Sequence, residues 1–318
     1  MKQYNMAMLG AGKIAYKMSE AIDACEDRII RYGAASRDVN HAKAFAAETG
    51  FQKVYESFDE LVEDEKIDFV YVSTPTQMHY EHVKKCLLAG KHVLCEKPFA
   101  LNINEAKELI DLAEARNLIC MDAMWSMYMP MWDKIDEMIQ EKCFGKIKFL
   151  TASFGYPSLH IPRLLDKRGG GSLYDLGVYT VTAAKKILGS EYTVEKAEFE
   201  YYQDVDIVNK TRLKIQNARV RLHSSIKHRD SYMLGIVGTK GMLLSRKFWL
   251  GKSFLFWKYP MSFKKYSFTH EKNGYEYELK EIIRLLDEKK LDSKVWNHKD
   301  TLDVMSCMDA MRAKVKRL

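Results

Sequence analysis

Tyr4-Asn5-Met6-Ala7-Met8-Leu9-Gly10-Ala11-Gly12-Lys13-Ile14-Ala15 is the stretch on which the reading of the fold turns. A short apolar strand, Tyr4 to Leu9, runs into Gly-x-Gly-x-x-Ala and then into a helical pattern from Ile14 to Cys25. The first glycine of such a motif permits a tight turn, the second lets the main chain approach a pyrophosphate, and the small third residue allows the helix to pack closely on the strand. The helix then presents its unpaired amides to the phosphate. The motif is weak alone, but here the strand before it and the helix after it supply the context that gives it meaning. Gly10, Gly12, Lys13, Ile14 and Ala15 are therefore candidates for holding a dinucleotide.

Working outward, a second strand, Ile29 to Ala35, ends in Ser36-Arg37-Asp38. An acid at that place accepts a hydrogen bond from a free ribose 2′-hydroxyl, whereas an arginine accommodates a 2′-phosphate. Ser36 and Arg37 favour NADP, and Asp38 keeps NAD open. Helical spacing follows over Val39 to Ala47 and Phe58 to Asp64, then a buried strand from Ile67 to Val72. Ser73, Thr74 and Pro75 at its end suit a loop passing under a nicotinamide, and His79 joins them as a cofactor candidate at the start of the next helix, which runs to Leu88 and closes at Gly90. His79 and His82 share a helical face without a cysteine or carboxylate at ligand spacing, so they read as a packing pair and no metal site is expected.

Strand Val93 to Cys95 delivers Glu96-Lys97-Pro98, and an amphipathic helix spans Ile103 to Ala115. Proline holds the residue before it in extended geometry, so Lys97 projects from a fixed base at the carboxyl end of a strand. In open parallel sheets that end is where ligands bind. Repeated strand-helix alternation predicts an α/β, doubly wound parallel sheet over residues 1–122.

From about Ala123 the text changes, which predicts a second, α+β domain over residues 123–318. Strand patterns cover Lys146 to Tyr156, Val194 to Gln203, Arg212 to His223, Tyr232 to Val237, Met242 to Leu250 and Ser253 to Trp257. Without intervening helices they imply a large, mostly antiparallel open sheet with one face covered. Helices are expected over Tyr275 to Lys289 and Lys299 to Val315. Between Arg246 and Tyr266 eight aromatic residues interleave with six basic ones, a text that suits base stacking. Strand alternation over a core writes the same text, so no nucleic acid is expected.

Composition bounds the rest. The 318 residues, 47% hydrophobic and 29% charged, suit two globular domains. The formal charge of +7 favours an anionic cofactor without implying nucleic acid. Six cysteines without a Cys-x-x-Cys pair predict reduced thiols in a cytoplasmic protein. No apolar window approaches the roughly 20 residues that a spanning helix needs, and the amino terminus lacks a signal-peptide pattern, so no membrane partner is expected.

The ordered set Gly10-x-Gly12-x-x-Ala15, Ser36-Arg37, Thr74-Pro75 and Glu96-Lys97-Pro98 resembles the Gfo/Idh/MocA family, named for glucose-fructose oxidoreductase and inositol dehydrogenase. Trp125, Gly169-Gly170-Gly171 and Asp175-x-Gly177-x-Tyr179 are similar to the dihydrodiol dehydrogenase and NADP-linked D-xylose dehydrogenase group within it. Gly238-Thr239-Lys240-Gly241 and Gly274-Tyr275-Glu276-Tyr277-Glu278 extend the resemblance over nearly the whole chain. It implies an N-terminal Rossmann domain, an oxidoreductase activity with NADP or NAD, and a homodimer or dimer of dimers formed through the open sheet face. Many members carry a histidine where Tyr179 stands, and the similar enzymes often carry an arginine where Met127 falls, a departure that bears on the substrate.

Oxidising a secondary alcohol requires hydride to leave carbon and a proton to leave oxygen, and a positioned side chain must take the proton. A tyrosine ordinarily titrates near 10, and a neighbouring ammonium lowers it. Tyr179 is accordingly read as the acid-base residue, Lys97 as the group that holds the alcohol and tunes Tyr179, and Asp175 as the orienting acid. Asp175 and Tyr179, four apart, share a helical face, and Ser172 with Asp175 also fits a capping box. Glu96 and Lys97 join the cofactor set, while Trp125, Tyr128, His160, Arg163 and Asp175 are substrate candidates. The expected substrate is a small sugar, polyol or cyclic diol. An NAD-linked inositol-type dehydrogenase and a non-catalytic dinucleotide-binding regulator are the alternatives.

Overall fold

A computed structural model describes residues 2–260 and 262–317. The chain divides into two compact units, Met1–Tyr128 with His270–Thr301, and Met129–Thr269 with Leu302–Leu318. The sequence reading places one boundary near Ala123; the chain instead returns to the first unit for a segment of its carboxyl-terminal part.

In the first unit β1 (Tyr4–Leu9), α1 (Lys13–Ile22), β2 (Ile29–Ala35), α2 (Val39–Thr49), β3 (Lys53–Val54) and α3 (Phe58–Glu63) form one half. The other half is β4 (Phe69–Val72), α4 (His79–Leu88), β5 (His92–Glu96), α5 (Ile103–Ala115) and β6 (Cys120–Ala123). The sheet is parallel in the order β3-β2-β1-β4-β5-β6. Its direction of growth reverses between β1 and β4, the switch point at which such sheets bind ligands beyond their carboxyl ends. The strands are apolar on both faces, as a sheet covered by helices on both sides requires, and all four residues of β4 are buried. Caps fix the helix starts: Asp38 accepts from Asn40 N at 2.9 Å, Ser57 from Glu60 N at 3.1 Å and Asn102 from Glu105 N at 3.0 Å.

The second unit opens with α6 (Pro130–Gln140), β7 (Ile147–Gly155) and α7 (Val178–Leu188). It continues with β8 (Tyr192–Tyr202), β9 (Val205–Ile215), β10 (Ala218–Ser225), β11 (Met233–Gly238), β12 (Gly241–Arg246), β13 (Ser253–Lys258) and β14 (Ser262–Ser267). After these come α8 (Glu276–Glu288) in the first unit, α9 (His298–Ala313) and β15 (Val315–Arg317). The nine-stranded sheet runs β14-β13-β12-β11-β7-β10-β9-β8-β15. Its pairs are antiparallel except β7 with β10 and β8 with β15. One face packs under α7, which lies against β7 and β10. The other carries alternate charged residues, and Arg219 stands opposite Lys214 as Arg221 stands opposite Arg212.

The open sheet departs from the expected strand limits in three places. The segment read as one strand from Arg212 to His223 is two, joined by a tight turn in which Gln216 has φ +50°. That turn lacks the Asn-Gly signal by which tight hairpins are recognised, so the alternation reads straight across it. The pattern over Met242 to Leu250 ends as a strand at Arg246 and finishes as a 3-10 turn, Phe248–Leu250. The basic aromatic stretch from Arg246 to Tyr266 divides between β12, β13 and β14, with Phe248 and Phe254 buried, while Phe263 on β14 is 57% exposed.

Candidate active site

The glycine loop after β1 is shaped for close approach. Gly10 has φ +105°, and a Cβ there would lie 2.9 Å from the Ser73 carbonyl oxygen. The Ser73 hydroxyl donates to Leu9 O and Gly10 O, both at 3.2 Å, and so ties the loop after β4 to the loop after β1. Gly12 caps α1 without a side-chain hydrogen bond, nothing lies within 4 Å of where its Cβ would be, and Lys13 and Ile14 form the first turn. Ala15 is fully buried, the small residue that helix-to-strand packing requires. Amides of a helix start, open space and a glycine turn are what a pyrophosphate fits.

At the end of β2, Arg37 is exposed and makes no ion pair or hydrogen bond with another described residue. Asp38 is engaged as the cap of α2, with His41 Nε2 at 3.7 Å. Thr74 Oγ1 lies 2.9 Å from His82 Nδ1, and Pro75 is exposed. His79 is 1% exposed, and its ring spans Thr74 O at 2.8 Å and Pro98 O at 2.9 Å. Burial pushes it down to about 4, against the pull of these carbonyls, and the neutral ring donates to only one of the two. The packing pair read from the sequence thus has a definite structural role. His79 is buried between the loop after β4 and the loop after β5, with each ring nitrogen beside a carbonyl oxygen.

That second loop carries Glu96, 5% exposed, and the half-buried Lys97, which is joined to Pro98 by a cis peptide bond. Glu96 accepts from the Tyr71 hydroxyl and from Lys97 N at 3.2 Å. Asp122, near the end of β6, accepts through Oδ2 from Thr301 Oγ1 at 3.1 Å and Trp296 Nε1 at 3.3 Å. Burial pushes Asp122 up to about 7, and the Lys97 charge works in the opposite direction. Trp125 stacks on Tyr275, with centroids 4.3 Å apart and planes at 9°. The Tyr128 hydroxyl donates to Asp122 O at 3.3 Å.

The second unit gathers the other candidates. Leu173–Gly177 winds as a π turn ahead of α7 and brings Asp175 to Arg163, whose Nη1 lies 3.1 Å from Asp175 Oδ1. His160 is exposed on the preceding loop. The capping-box reading of Ser172 with Asp175 is corrected: the Ser172 side chain does not cap the turn. Its hydroxyl donates instead to Asp206 Oδ2 at 2.7 Å, and the same oxygen accepts from Leu173 N at 2.8 Å. Asp206 is pushed up to about 6 by burial, which these hydrogen bonds offset in part. Gly171, at φ +100°, lets this carboxylate in; a Cβ there would meet Asp206 Oδ1 at 2.2 Å.

Tyr179 is 6% exposed and its ring lies 5.6 Å from that of Phe154. Phe154 stacks on Trp249 at 3.6 Å and 11°, and Tyr232 meets Trp249 edge-on at 5.5 Å. The sequence reading missed this aromatic group, and it missed Asp122 and Asp206. A lone acid in the buried run Ile119-Cys120-Met121-Asp122-Ala123 was the one available signal for Asp122. Asp206 gave none, because its partners lie 33 and 34 residues away.

A dinucleotide-binding sheet with a Lys-Pro loop at its carboxyl edge, followed by an open sheet unit, defines a nicotinamide-dependent oxidoreductase. Similarity to known proteins specifies it further. Residues 4–123 match the family described as "Oxidoreductase family, NAD-binding Rossmann fold", and residues 132–244 match the "GFO/IDH/MocA C-terminal domain". The chain is 30% identical over 286 residues to trans-1,2-dihydrobenzene-1,2-diol dehydrogenase of Xenopus tropicalis, an alignment covering 86% of each. It belongs to the Gfo/Idh/MocA oxidoreductase family. Among solved structures, the fold is that of KijD10, a 3-ketoreductase from Actinomadura kijaniata in complex with NADP and TDP-benzene, with TM-score 0.91, 24% identity and 99% of each chain covered. It is also that of a levoglucosan dehydrogenase in complex with NADH and levoglucosan, with TM-score 0.89, 19% identity, and 99% of this chain and 97% of that one covered.

Proposed function

We propose that this chain is an NADP-dependent dehydrogenase of a secondary alcohol carried on a small ring, a cyclic diol or a pyranose. The observation that carries the substrate reading is the stacked Phe154–Trp249 pair beside Tyr179, with Tyr232 against its edge. Aromatic faces favour the flat, apolar face of a ring and leave its edge hydroxyls for polar groups. An open-chain polyol has no such face. The diol named in the Xenopus tropicalis relative is a substrate of this shape.

The cofactor, when bound, accepts the hydride. Lys97 holds the alcohol oxygen and Tyr179 takes its proton, while the Asp175–Arg163 pair orients the remaining hydroxyls. Arg37 supports NADP, since its guanidinium has no other described partner and the neighbouring acid is occupied as a helix cap. Arginine matches a phosphate monoester with two parallel donors. Ser36 flanks it, and the loop tied by Ser73 carries Thr74 and Pro75 towards the nicotinamide. Trp125, Tyr128 and His160 complete the substrate set.

The test is absorbance at the NADPH band with NADP or NAD and a panel of trans-dihydrodiols, pyranoses and open-chain polyols. The expected order of kcat/KM is ring diols and pyranoses over open-chain polyols, and NADP over NAD. Equal rates on glycerol-like and ring substrates overturn the aromatic-wall reading. We further propose a homodimer, or a dimer of dimers, in the cytoplasm. The free thiols, five of the six cysteines buried, suit a reducing compartment. The like-charged rows of β9 and β10 make the dimer salt-dependent if the open face forms it. Light scattering across salt concentration reads this directly.

A further inference from the structure

The segment between β10 and β11 crosses the end of the open sheet and grips it on both faces. Residues two apart on a strand share a face, so His223 on β10 stands in the row of Arg219 and Arg221. Lys210 of β9 lies on one side of it and Ser153 of β7 on the other. Phe154, the next residue of β7, points to the opposite face, under α7, where its ring meets Tyr179. On the charged face, Asp230 Oδ2 accepts from His223 Nδ1, and the Ser231 hydroxyl bonds the Ser153 hydroxyl. At the strand end, Asp230 N donates to Gly155 O at 3.1 Å. The crossing is close: a Cβ on Gly155 would lie 2.7 Å from Asp230 Cβ and 2.8 Å from His228 O. Two residues after Asp230, Tyr232 has reached the other face, with its ring 5.9 Å from Phe154 and 5.5 Å from Trp249.

Tyr232 does not hold this place by itself. It has φ +53°, a left-handed conformation that residues with a Cβ rarely adopt. Lys247, at φ +50°, donates its N–H to Tyr232 O at 2.6 Å, and the chain then turns to Trp249. Both residues lie just beyond Met233 and Arg246, the last pair of β11 with β12, so the ladder does not fix them. The Tyr232 hydroxyl has no hydrogen-bond partner among the described residues, which leaves the preceding residues to set the ring in place. Asp230 is suited to that task. Against its burial, the His223 bond and the Ser231 amide, 2.6 Å from Oδ1, hold it below the usual carboxylate range, so it stays an acceptor.

We propose that His223 and Asp230 are positioning residues for the substrate: from the open face they hold Tyr232 at the edge of the Phe154–Trp249 wall, and selectivity for rings over open chains depends on that hold. The proposal rests on the wall being the seat of a ring substrate. A hydrogen-bonded pair on one face of the sheet sets an aromatic surface on the other, through three consecutive residues.

Fluorine NMR of the full chain grown on 5-fluorotryptophan tests the hold without substrate. The chain has five tryptophans, and the Trp249 signal is the one missing from Trp249→Phe. His223→Leu removes the donor and is expected to shift or split that signal. His223→Asn, whose amide nitrogen takes the place of Nδ1 as donor, is expected to restore it. Arg221→Ala changes the same face without touching the pair and is expected to leave the signal in place. Steady-state kinetics with NADP then compare D-xylose and trans-cyclohexane-1,2-diol, both rings, with xylitol, an open chain. In His223→Leu and in Tyr232→Leu the ring-to-chain ratio of kcat/KM is expected to fall by ~3- to 10-fold, the worth of a lost aromatic contact, through KM with kcat unchanged. His223→Asn keeps the native ratio. An unmoved Trp249 signal in His223→Leu, an equal shift in His223→Asn or Arg221→Ala, or a native ratio in Tyr232→Leu overturns the proposal. If His223→Leu does not fold, Asp230→Ala removes the same bond from the other side and is read in its place. A native chain that reduces no NADP with any alcohol refutes the dehydrogenase reading separately, while the fluorine signal still decides the hold.

Discussion

Lys97 at the end of β5 and Tyr179 at the start of α7 are both polar heads on fixed bases, yet they are fixed by different means. Lys97 is held by its own neighbours in sequence: a buried strand ends, Glu96 bonds the next amide at 3.2 Å, and proline follows. Tyr179 depends on a residue far along the chain. Asp206, from β9, holds the π turn through Ser172 and Leu173, and Gly171 makes room for it. The acids differ in the same way. Asp206 is half-buried and satisfied, whereas half-buried Asp122 keeps one oxygen, and fully buried Glu278 both, that no described residue pairs. A satisfied buried acid serves as a strut; an unsatisfied one stores a proton.

The largest test of this contrast removes the heads themselves. Lys97→Ala and Tyr179→Phe are each expected to lower kcat by ~10²–10⁴-fold with NADP affinity retained, as loss of acid-base catalysis does. Steady-state rates and a fluorescence titration measure the two, and a near-native rate in either variant removes that residue from the chemistry.

Next comes the pH dependence of stability. Native Asp122 keeps its proton up to about 7. An unfolded aspartate releases its proton near 3.9. Between those values the folded chain binds a proton that the unfolded chain does not, so its stability falls as pH rises through that window. Asp122→Asn lacks this slope, and in urea melts it should gain on the native protein by on the order of 2–3 kcal/mol between pH 5 and pH 8. A parallel pH dependence in the two proteins means that the carboxyl is not held protonated.

Asp206→Ala leaves the Leu173 amide unpaired and is expected to cost about 1–3 kcal/mol. Its kcat should fall as well, because the turn leading to Tyr179 loosens. If stability falls and kcat does not, the long-range strut serves the fold alone. The smallest effect is at the cofactor. Arg37→Ala should weaken NADP by ~10-fold or more, the worth of a charge-assisted bond, and leave NAD unchanged. Equal NADP binding in that variant defeats the assignment.

The same division governs what could be read from the letters. Helix α5 is legible from Ile103 to Ala115 because its apolar period is strong. The glycine loop, the strand before Lys97 and the open antiparallel sheet were legible for similar reasons of period and punctuation. The turn at Gln216 was not, since Gln216-Asn217 lacks the glycine that marks a tight hairpin. Nor were the partners of Asp175 and Ser172: a capping box is a local rule, and here Asp206 outcompetes it across the sheet.

By itself the sequence determined the dinucleotide half, the identity of the polar residues at its edge and the family, because these depend on contacts between near neighbours and on periodicities that survive in the text. Tertiary structure alone decided that His79 is buried between two loops, that Asp206 holds the turn before Tyr179, and that Glu278 is buried with no partner for its carboxyl group among the described residues. Burial and hydrogen-bond satisfaction are sums over residues remote in the chain, and the charge state of an acid follows those sums rather than its neighbours in sequence.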